Sequence, residues 1–233
     1  MINVDTVYQR VLALANKEQR GYITPQEFNL MADHAQMEIL EQYLYDINQL
    51  ERVPNNDREY THLPRLIHEK LSIFKKTATS VTVTVGKVDL ASAIPDLYKI
   101  GSIYTTNNVI FEEVKADELI ALNRSTLARP SVTQPVYLFE DGDIRIVPGT
   151  VSASLSINYI RIPTRPRWGY VVVGEKALYD PTPAKTTNFE LHAAEEVELV
   201  YKILKLAGIA IQRDDVAQSG GSLEQSQIIQ EKQ

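Results

Sequence analysis

The sequence contains no cysteine, one tryptophan and no apolar run long enough to cross a bilayer. Without cysteine, disulfides, thiolate metal sites and cysteine nucleophiles are excluded. The histidines His34, His62, His68 and His192 show no zinc-binding spacing, and neither a phosphate-binding loop nor a GxGxxG fingerprint occurs. No basic leader opens the chain, so we expect a protein of a cytosol-like compartment without a membrane anchor. We expect no metal, no cofactor and no catalytic residues.

Positive charge is also scarce. Lys and Arg number 24 against 30 Asp and Glu, which gives a net charge of −6. Affinity for nucleic-acid phosphates comes mainly from Lys and Arg, so this balance disfavours a surface built to grip nucleic acid. Hydrophobic residues make up 44% of the 233, which is typical of a globular chain with ample core material.

Residues 16–28 can be interpreted in two ways. As a calcium loop they place Gly21 at the sixth position and Glu27 at the twelfth. However, the first position is Asn16 rather than a carboxylate, and the fifth is Arg20, a cation where the metal needs an anion. A degenerate EF-hand would therefore bind calcium weakly at best.

The same residues also form a helix start. Thr24 is placed as the N-cap, Pro25 as the first helical residue and Glu27 as the reciprocal partner in a capping box. Gly21 suits the left-handed turn that ends a preceding helix. This interpretation explains more of the residues, and it predicts a corner between two helices.

Hydrophobic periodicity predicts helices at both ends of the chain and strands between them. We expect an α+β fold in which N- and C-terminal helices form a small bundle around an inserted, mainly antiparallel β unit. The regions are 1–76 (helical), 77–175 (β-rich), 176–211 (C-terminal helix packed on the N-terminal helices) and 212–233 (polar tail). The predicted helices cover 3–15, 25–50, 58–74, 116–123 and the segment from 187, and the strands 80–86, 97–106, 109–114, 136–139, 144–147, 151–162 and 170–173.

Local signals refine this arrangement. Asn107-Asn108 suits a tight turn joining two strands, and residues 136–162 are predicted to form a meander. Thr187 and Glu190 form a second possible capping box. The helix that follows has an apolar stripe, and we expect Glu195, Glu198 and Lys202 on its exposed faces, with Glu198 and Lys202 as an i,i+4 pair.

Acidic residues cluster at Glu112-Glu113 and within residues 140–143. Paired carboxylates could serve a glycoside hydrolase, but only their geometry decides that. The second cluster contains Asp141-Gly142, the preferred dipeptide of a tight hairpin turn, so turn chemistry is the favoured interpretation.

One basic and aromatic patch consists of Arg161, Arg165, Arg167, Trp168 and Tyr170. It could stack on and neutralise nucleic acid. The favoured alternative is a subunit contact anchored by Trp168, because Trp, Tyr and Arg dominate protein interfaces.

The tail at 212–233 has too little apolar surface to fold alone. We expect it to become ordered on assembly, through contacts with neighbouring chains. Its interface candidates are Gln225, Ile228 and Ile229.

Several blocks of the sequence resemble virion structural proteins of tailed bacteriophages, notably crAss-like and related podoviruses. The most specific block is 16–29 with 35–39. The others are 135–137, 144–148, 159–163 running on to 167–170, 189–192 and 206–209.

The resemblance implies a subunit of a head-to-tail connector, or neck, ring that joins the portal to the tail. Such a subunit forms a closed ring of about twelve copies, contacts the portal and other neck or tail rings, and surrounds DNA without sequence-specific binding. It would be assembled in the host cytoplasm and reside in the virion. The family has no catalytic residues to carry over.

Overall fold

The fold is α+β and divides into two units. The computed structural model describes residues 1–15, 23–52, 62–151, 154–210 and 225. Met1–Ile73 and Pro163–Gln233 make up the helical unit, and Phe74–Ile162 make up the β unit. The β unit therefore ends at Ile162 rather than at the expected 175, and the strand at Tyr170–Val173 belongs to the helical unit.

In its described part, the helical unit contains the helices α1 (Val4–Ala15), α2 (Pro25–Arg52), α3 (His62–Ser72) and α6 (Glu196–Ala210). Helix α6 contacts both α1 and α2, and α3 contacts α2. One face of α2 is apolar and buried, at Phe28, Ala32, Ala35, Ile39 and Tyr43. Among the described residues, no helix has both the length and the apolarity that a bilayer crossing requires.

The capping box at the start of α2 is confirmed. The backbone N–H of Thr24 donates to the Glu27 carboxylate at 2.9 Å, and the backbone N–H of Glu27 donates to Thr24 Oγ1 at 3.3 Å. The Thr24 hydroxyl also donates to this carboxylate, and this hydrogen bond, followed by the one from the Thr24 N–H, lowers the pKa of Glu27. Glu27, the one strong ligand of the hypothetical calcium loop, therefore caps the start of α2. Residues 16–22 of that loop lie outside the described part of the chain.

The prediction of a second capping box at Thr187 and Glu190 is wrong. Thr187 exchanges backbone hydrogen bonds with Arg167 instead of capping a helix, and the Glu190 carboxylate accepts the Thr164 N–H at 2.7 Å. The helical segment begins later, with a 3-10 turn at Ala193–Glu195 that His192 caps by accepting the Ala194 N–H at Nδ1. The spacing of Thr187 and Glu190 fits the motif, but their hydrogen-bonding groups bind Arg167 and Thr164, which lie in an earlier segment of the chain.

Glu198 and Lys202 of α6, and Glu195 in the 3-10 turn before it, are buried, so their expected exposure is also wrong. Lys202 Nζ lies 3.2 Å from Glu38 on α2 and 3.6 Å from Glu198, which confirms the i,i+4 pair. Glu195 pairs with Lys70 of α3. These ion pairs connect α6 and the 3-10 turn before it to two other helices, and each of the three buried charges faces an opposite one.

The described residues of the β unit form seven strands and two helices. The strands are β1 (Lys75–Val81), β2 (Lys87–Val88), β3 (Leu97–Thr105), β4 (Glu112–Glu113), β5 (Val136–Glu140), β6 (Asp143–Val147) and β7 (Leu155–Arg161), and the helices are α4 (Leu90–Ala93) and α5 (Ala116–Arg124). One sheet has the order β1-β7-β3, all antiparallel, and the other the order β2-β6-β5-β4. In the second sheet β4 runs parallel to β5, whereas the other pairs are antiparallel.

The core of the β unit lies between the two sheets. Buried residues from both sheets, among them Ile103, Ile144, Ile146, Leu155 and Ile157, form one continuous cluster. Helix α5 covers the other face of the four-stranded sheet, where Leu119 packs with Val114, Val136 and Leu138. The result is a sheet–sheet–helix arrangement with an outward face on β1-β7-β3.

Two strand pairings differ from the expected ones. Strand β7 does not follow β6 in a meander but lies between β1 and β3 in the other sheet. The turn at Asn107-Asn108 forms, with the Phe111 N–H donating to Ile103 O at 2.9 Å, but β4 then leaves β3 and pairs with β5. Both pairings depend on strands distant in sequence, which local hydrophobic periodicity does not indicate.

The two ends of the β unit lie side by side. Lys75 at the start of β1 pairs with Ile160 near the end of β7, and the Arg161 N–H donates to Phe74 O at 2.9 Å. The chain thus enters and leaves this unit through adjacent residues.

Candidate interaction site

Trp168 lies in the interior of the helical unit, with 2% of its surface exposed. Its ring is 4.4 Å from that of Tyr8 on α1, centroid to centroid, and stacks on Tyr170 and Tyr179 at 5.9 and 5.7 Å. The expectation that this indole itself anchors a subunit contact is therefore corrected. Trp168 instead organises the base of a β-hairpin.

Polar groups fix Trp168 on both its side chain and its backbone. The indole Nε1–H donates to Asp5 Oδ1 at 2.9 Å. The Asn29 side chain accepts the Trp168 N–H at 2.7 Å and donates to the Trp168 carbonyl at 3.3 Å. Residues from α1 and α2 thus hold one residue of a distant segment at three points.

The hairpin that follows consists of β8 (Tyr170–Val173) and β9 (Lys176–Tyr179), here named the apolar ribbon. Strand β8 has the predicted bounds, whereas β9 was not predicted. Antiparallel pairing sets Val171 opposite Leu178 and Val172 opposite Ala177. The signal that could have revealed β9 is Gly174-Glu175, a two-residue turn between two runs of apolar residues.

A tight approach at Gly169 supports the base of the ribbon. A Cβ at this position would lie 2.5 Å from Thr186 Oγ1 and 2.7 Å from the Lys185 carbonyl carbon. The Gly169 N–H donates to Thr186 Oγ1 at 3.2 Å. Only glycine allows these two segments to come so close.

Asp180 closes the same base. Its carboxylate accepts from Lys185 Nζ at 2.7 Å and from the Thr182 N–H at 3.1 Å. The hydrogen bond from Lys185, followed by those from Thr182, lowers the pKa of Asp180 to about 2. The turn after β9 is therefore tied down at ordinary pH.

Beyond this fixed base the ribbon is apolar and exposed. The exposed fractions are 42% for Val171, 63% for Val172, 58% for Val173 and 53% for Leu178. Among the described residues neither strand has a third strand beside it, so each keeps a free edge. A free edge with apolar side chains is a template for pairing with another chain.

The residues of the predicted basic patch are divided between the two units. Arg165 is exposed and lies 3.5 Å from Asp33, and Arg167 is exposed beside Trp168. Arg161 belongs to the β unit, where its guanidinium lies 5.9 Å from the Phe74 ring centroid. Only Arg165 and Arg167 remain next to the ribbon in sequence.

The tail candidates are described in one position only. Gln225 is helical and exposed. Ile228 and Ile229 lie outside the described residues.

The carboxylate clusters are spread over turns and edges. Asp141 and Gly142 both have positive φ, as the predicted tight turn between β5 and β6 requires, and Glu140 pairs with Arg145 at 3.2 Å. An open depression at the end of β1 is lined by hydroxyl side chains and one carboxylate, Asp89, which already caps α4. Within the described ranges, no three His, Asp or Glu side chains are placed to share a metal ion.

Glu112 and Glu113 lie on β4, at the edge of the four-stranded sheet. The Tyr137 hydroxyl donates to Glu113 Oε2 at 3.4 Å. Burial, and then the negative charge of Glu113, raises the pKa of Tyr137 to about 12.

This shift predicts a loss of stability in alkali. A folded-state pKa above the ordinary value of 10.0 means that the stabilising effect is complete below pH 10 and is lost as the pH rises toward 12. We expect the free energy of unfolding of the β unit to fall across that range in denaturant titrations followed by circular dichroism. The variant Tyr137→Phe should show a smaller fall, and Tyr104→Phe serves as the control; equal slopes for all three proteins would contradict the prediction.

No protein-family model and no curated protein sequence matches this chain at a significant level.

Proposed function

We propose that this chain is a structural, non-catalytic subunit of a ring at the head-to-tail junction of a tailed bacteriophage. It would join the portal to the tail and form part of the conduit for DNA. The sequence blocks that resemble virion ring proteins motivate the proposal. The observation that carries it is the apolar ribbon, a free-edged apolar hairpin on a rigid base.

An exposed apolar ribbon is unfavourable for a chain that stays monomeric. Isolated two-stranded hairpins are marginally stable in water, and free apolar edges promote association. Here Trp168, Asn29 and Asp5 fix the base of such a hairpin. A rigid base lowers the entropy lost when the ribbon docks on a partner, which favours specific assembly over disordered aggregation.

Assembly of the purified full-length chain tests this proposal. Native mass spectrometry over increasing concentration is expected to show a discrete oligomer with one dominant copy number. Electron microscopy of that species is expected to show closed rings. A chain that remains monomeric throughout, or that forms only dimers, would overturn the proposal.

A matched pair of variants connects the oligomer to the ribbon. Val172→Lys with Leu178→Lys places charge on both faces of the ribbon and should prevent oligomer formation without unfolding the chain. Leu30→Lys alters an apolar side chain of α2 that is 75% exposed and should leave the oligomer intact. Tryptophan fluorescence checks the fold in each case, because Trp168 is the only tryptophan.

A further inference from the structure

Charges next to the apolar ribbon are mainly positive. Lys176 lies on β9 and is exposed, and Arg165 and Arg167 precede β8 and are also exposed. The one exposed acid on the ribbon is Glu175, at its turn. A partner for this surface must offer apolar contact and negative charge together.

One described surface of the β unit has that combination. We name it the acidic edge: Glu112 and Glu113 on β4, with Asp117 and Glu118 in the first turn of α5, all exposed. Two apolar side chains lie within the same stretch, Ile110 at 69% and Ile120 at 60% exposed.

The backbone of β4 is available on its outer side. The N–H groups of Glu112 and Val114 donate to Pro135 O and Tyr137 O, so they point toward β5. Because peptide groups alternate along a strand, the N–H of Glu113, which lies between them, points to the free edge of the sheet. Strand β4 can therefore accept another strand alongside it.

We propose that the apolar ribbon of one copy docks on the acidic edge of a second copy, an inference that rests on the proposed ring function. The contact joins two different surfaces, so successive copies add in one direction and close into a ring when the rotation between them allows. Two ribbons meeting each other would oppose Lys176 and Arg167 on both sides. Two acidic edges would likewise oppose carboxylates, so charge selects the mixed pairing.

Reversing the charges tests the pairing in both directions. The ribbon variant combines Arg167→Glu with Lys176→Glu, and the edge variant combines Glu112→Lys with Glu118→Lys. Glu113 is left unchanged because Tyr137 donates to it. Each variant alone should raise the concentration of half-assembly at least about tenfold, since its two surfaces then carry the same charge.

An equimolar mixture of the two variants should restore assembly. In the mixture, the acidic ribbon of one chain meets the basic edge of the other, and the basic ribbon meets the acidic edge, so every contact is again complementary. Lys87→Glu, a change on β2 outside both surfaces, is the control and should assemble as the wild type does. Native mass spectrometry of the mixture of the two charge-reversed variants should show equal numbers of each in an oligomer, because complementary contacts require the two to alternate.

Introduced cysteines give a second, geometric readout, because the chain has none of its own. Chains carrying Leu178→Cys, mixed with chains carrying Ile110→Cys, should form a disulfide between different molecules under mild oxidation. Each variant oxidised alone should give little dimer.

The outcomes separate this inference from the proposed function. A ring that forms normally in the edge variant, or a disulfide that forms only between two Leu178→Cys chains, overturns the docking inference and leaves the ring intact. A wild-type chain that never assembles overturns the proposed function and the docking with it.

Discussion

Replacing Lys202 with methionine is expected to lower the free energy of unfolding of the helical unit by about 3–5 kcal/mol. Lys202 is 2% exposed and lies between Glu38 and Glu198. Methionine has a similar length but no charge, so the buried Glu198 would lose the cation that lies 3.6 Å away. Removing one member of a buried ion pair costs far more than the pair contributes, because the remaining charge stays desolvated.

Denaturant unfolding followed by Trp168 fluorescence measures this change. The double variant Lys202→Met with Glu198→Met should recover most of the loss, since an apolar replacement of a buried pair is often neutral. Arg10→Met breaks a pair between Arg10 of α1, whose side chain is 52% exposed, and Glu196 of α6. That control should cost less than about 1 kcal/mol, as exposed ion pairs generally do. Equal losses for Lys202→Met and Arg10→Met would refute the argument.

Replacing Trp168 with alanine is expected to cost about 3–5 kcal/mol of stability in the helical unit. The change removes a buried ring that contacts Tyr8, Tyr170 and Tyr179, and it leaves Asp5 without the indole donor. Because the same ring supports the base of the apolar ribbon, the proposed assembly should be lost even at temperatures where the chain stays folded.

Trp168→Phe separates packing from hydrogen bonding. Phenylalanine keeps an aromatic ring but not the N–H, so the expected loss is about 1.5–3 kcal/mol, the usual range for a hydrogen bond to a charged group. Circular dichroism supplies the stabilities, because both variants lack the fluorophore. Tyr45→Ala, at a residue of α2 that is 60% exposed, is the control and should change stability little. A ribbon that still supports assembly in Trp168→Ala would show that its base is held by other contacts.

The elements that sequence predicted well are those fixed by neighbouring residues. The capping box of Thr24 and Glu27, the turn at Asp141-Gly142 and the bounds of β8 all depend on contacts within a few residues. The general α+β class followed from periodicity, which reports burial on one face.

The elements that sequence missed are those decided by distant partners. Glu195, Glu198 and Lys202 have the composition of an exposed helix face, yet Lys70 and Glu38 on other helices neutralise two of them from outside α6. Trp168 is of a residue type that is common at interfaces, but residues of α1 and α2 enclose it. In each case the deciding group lies far away in sequence, so no local pattern could register it.

The adjacent ends of the β unit make residues 74–162 equivalent to a long surface loop of the helical unit. Phe74 and Arg161 are joined by a backbone hydrogen bond. The points at which the chain enters and leaves the β unit are therefore only about the distance between neighbouring strands apart. Such an insertion can be lengthened, shortened or exchanged at little cost in loop-closure entropy. The β unit can therefore change in length or be replaced during evolution while the core of the helical unit stays the same.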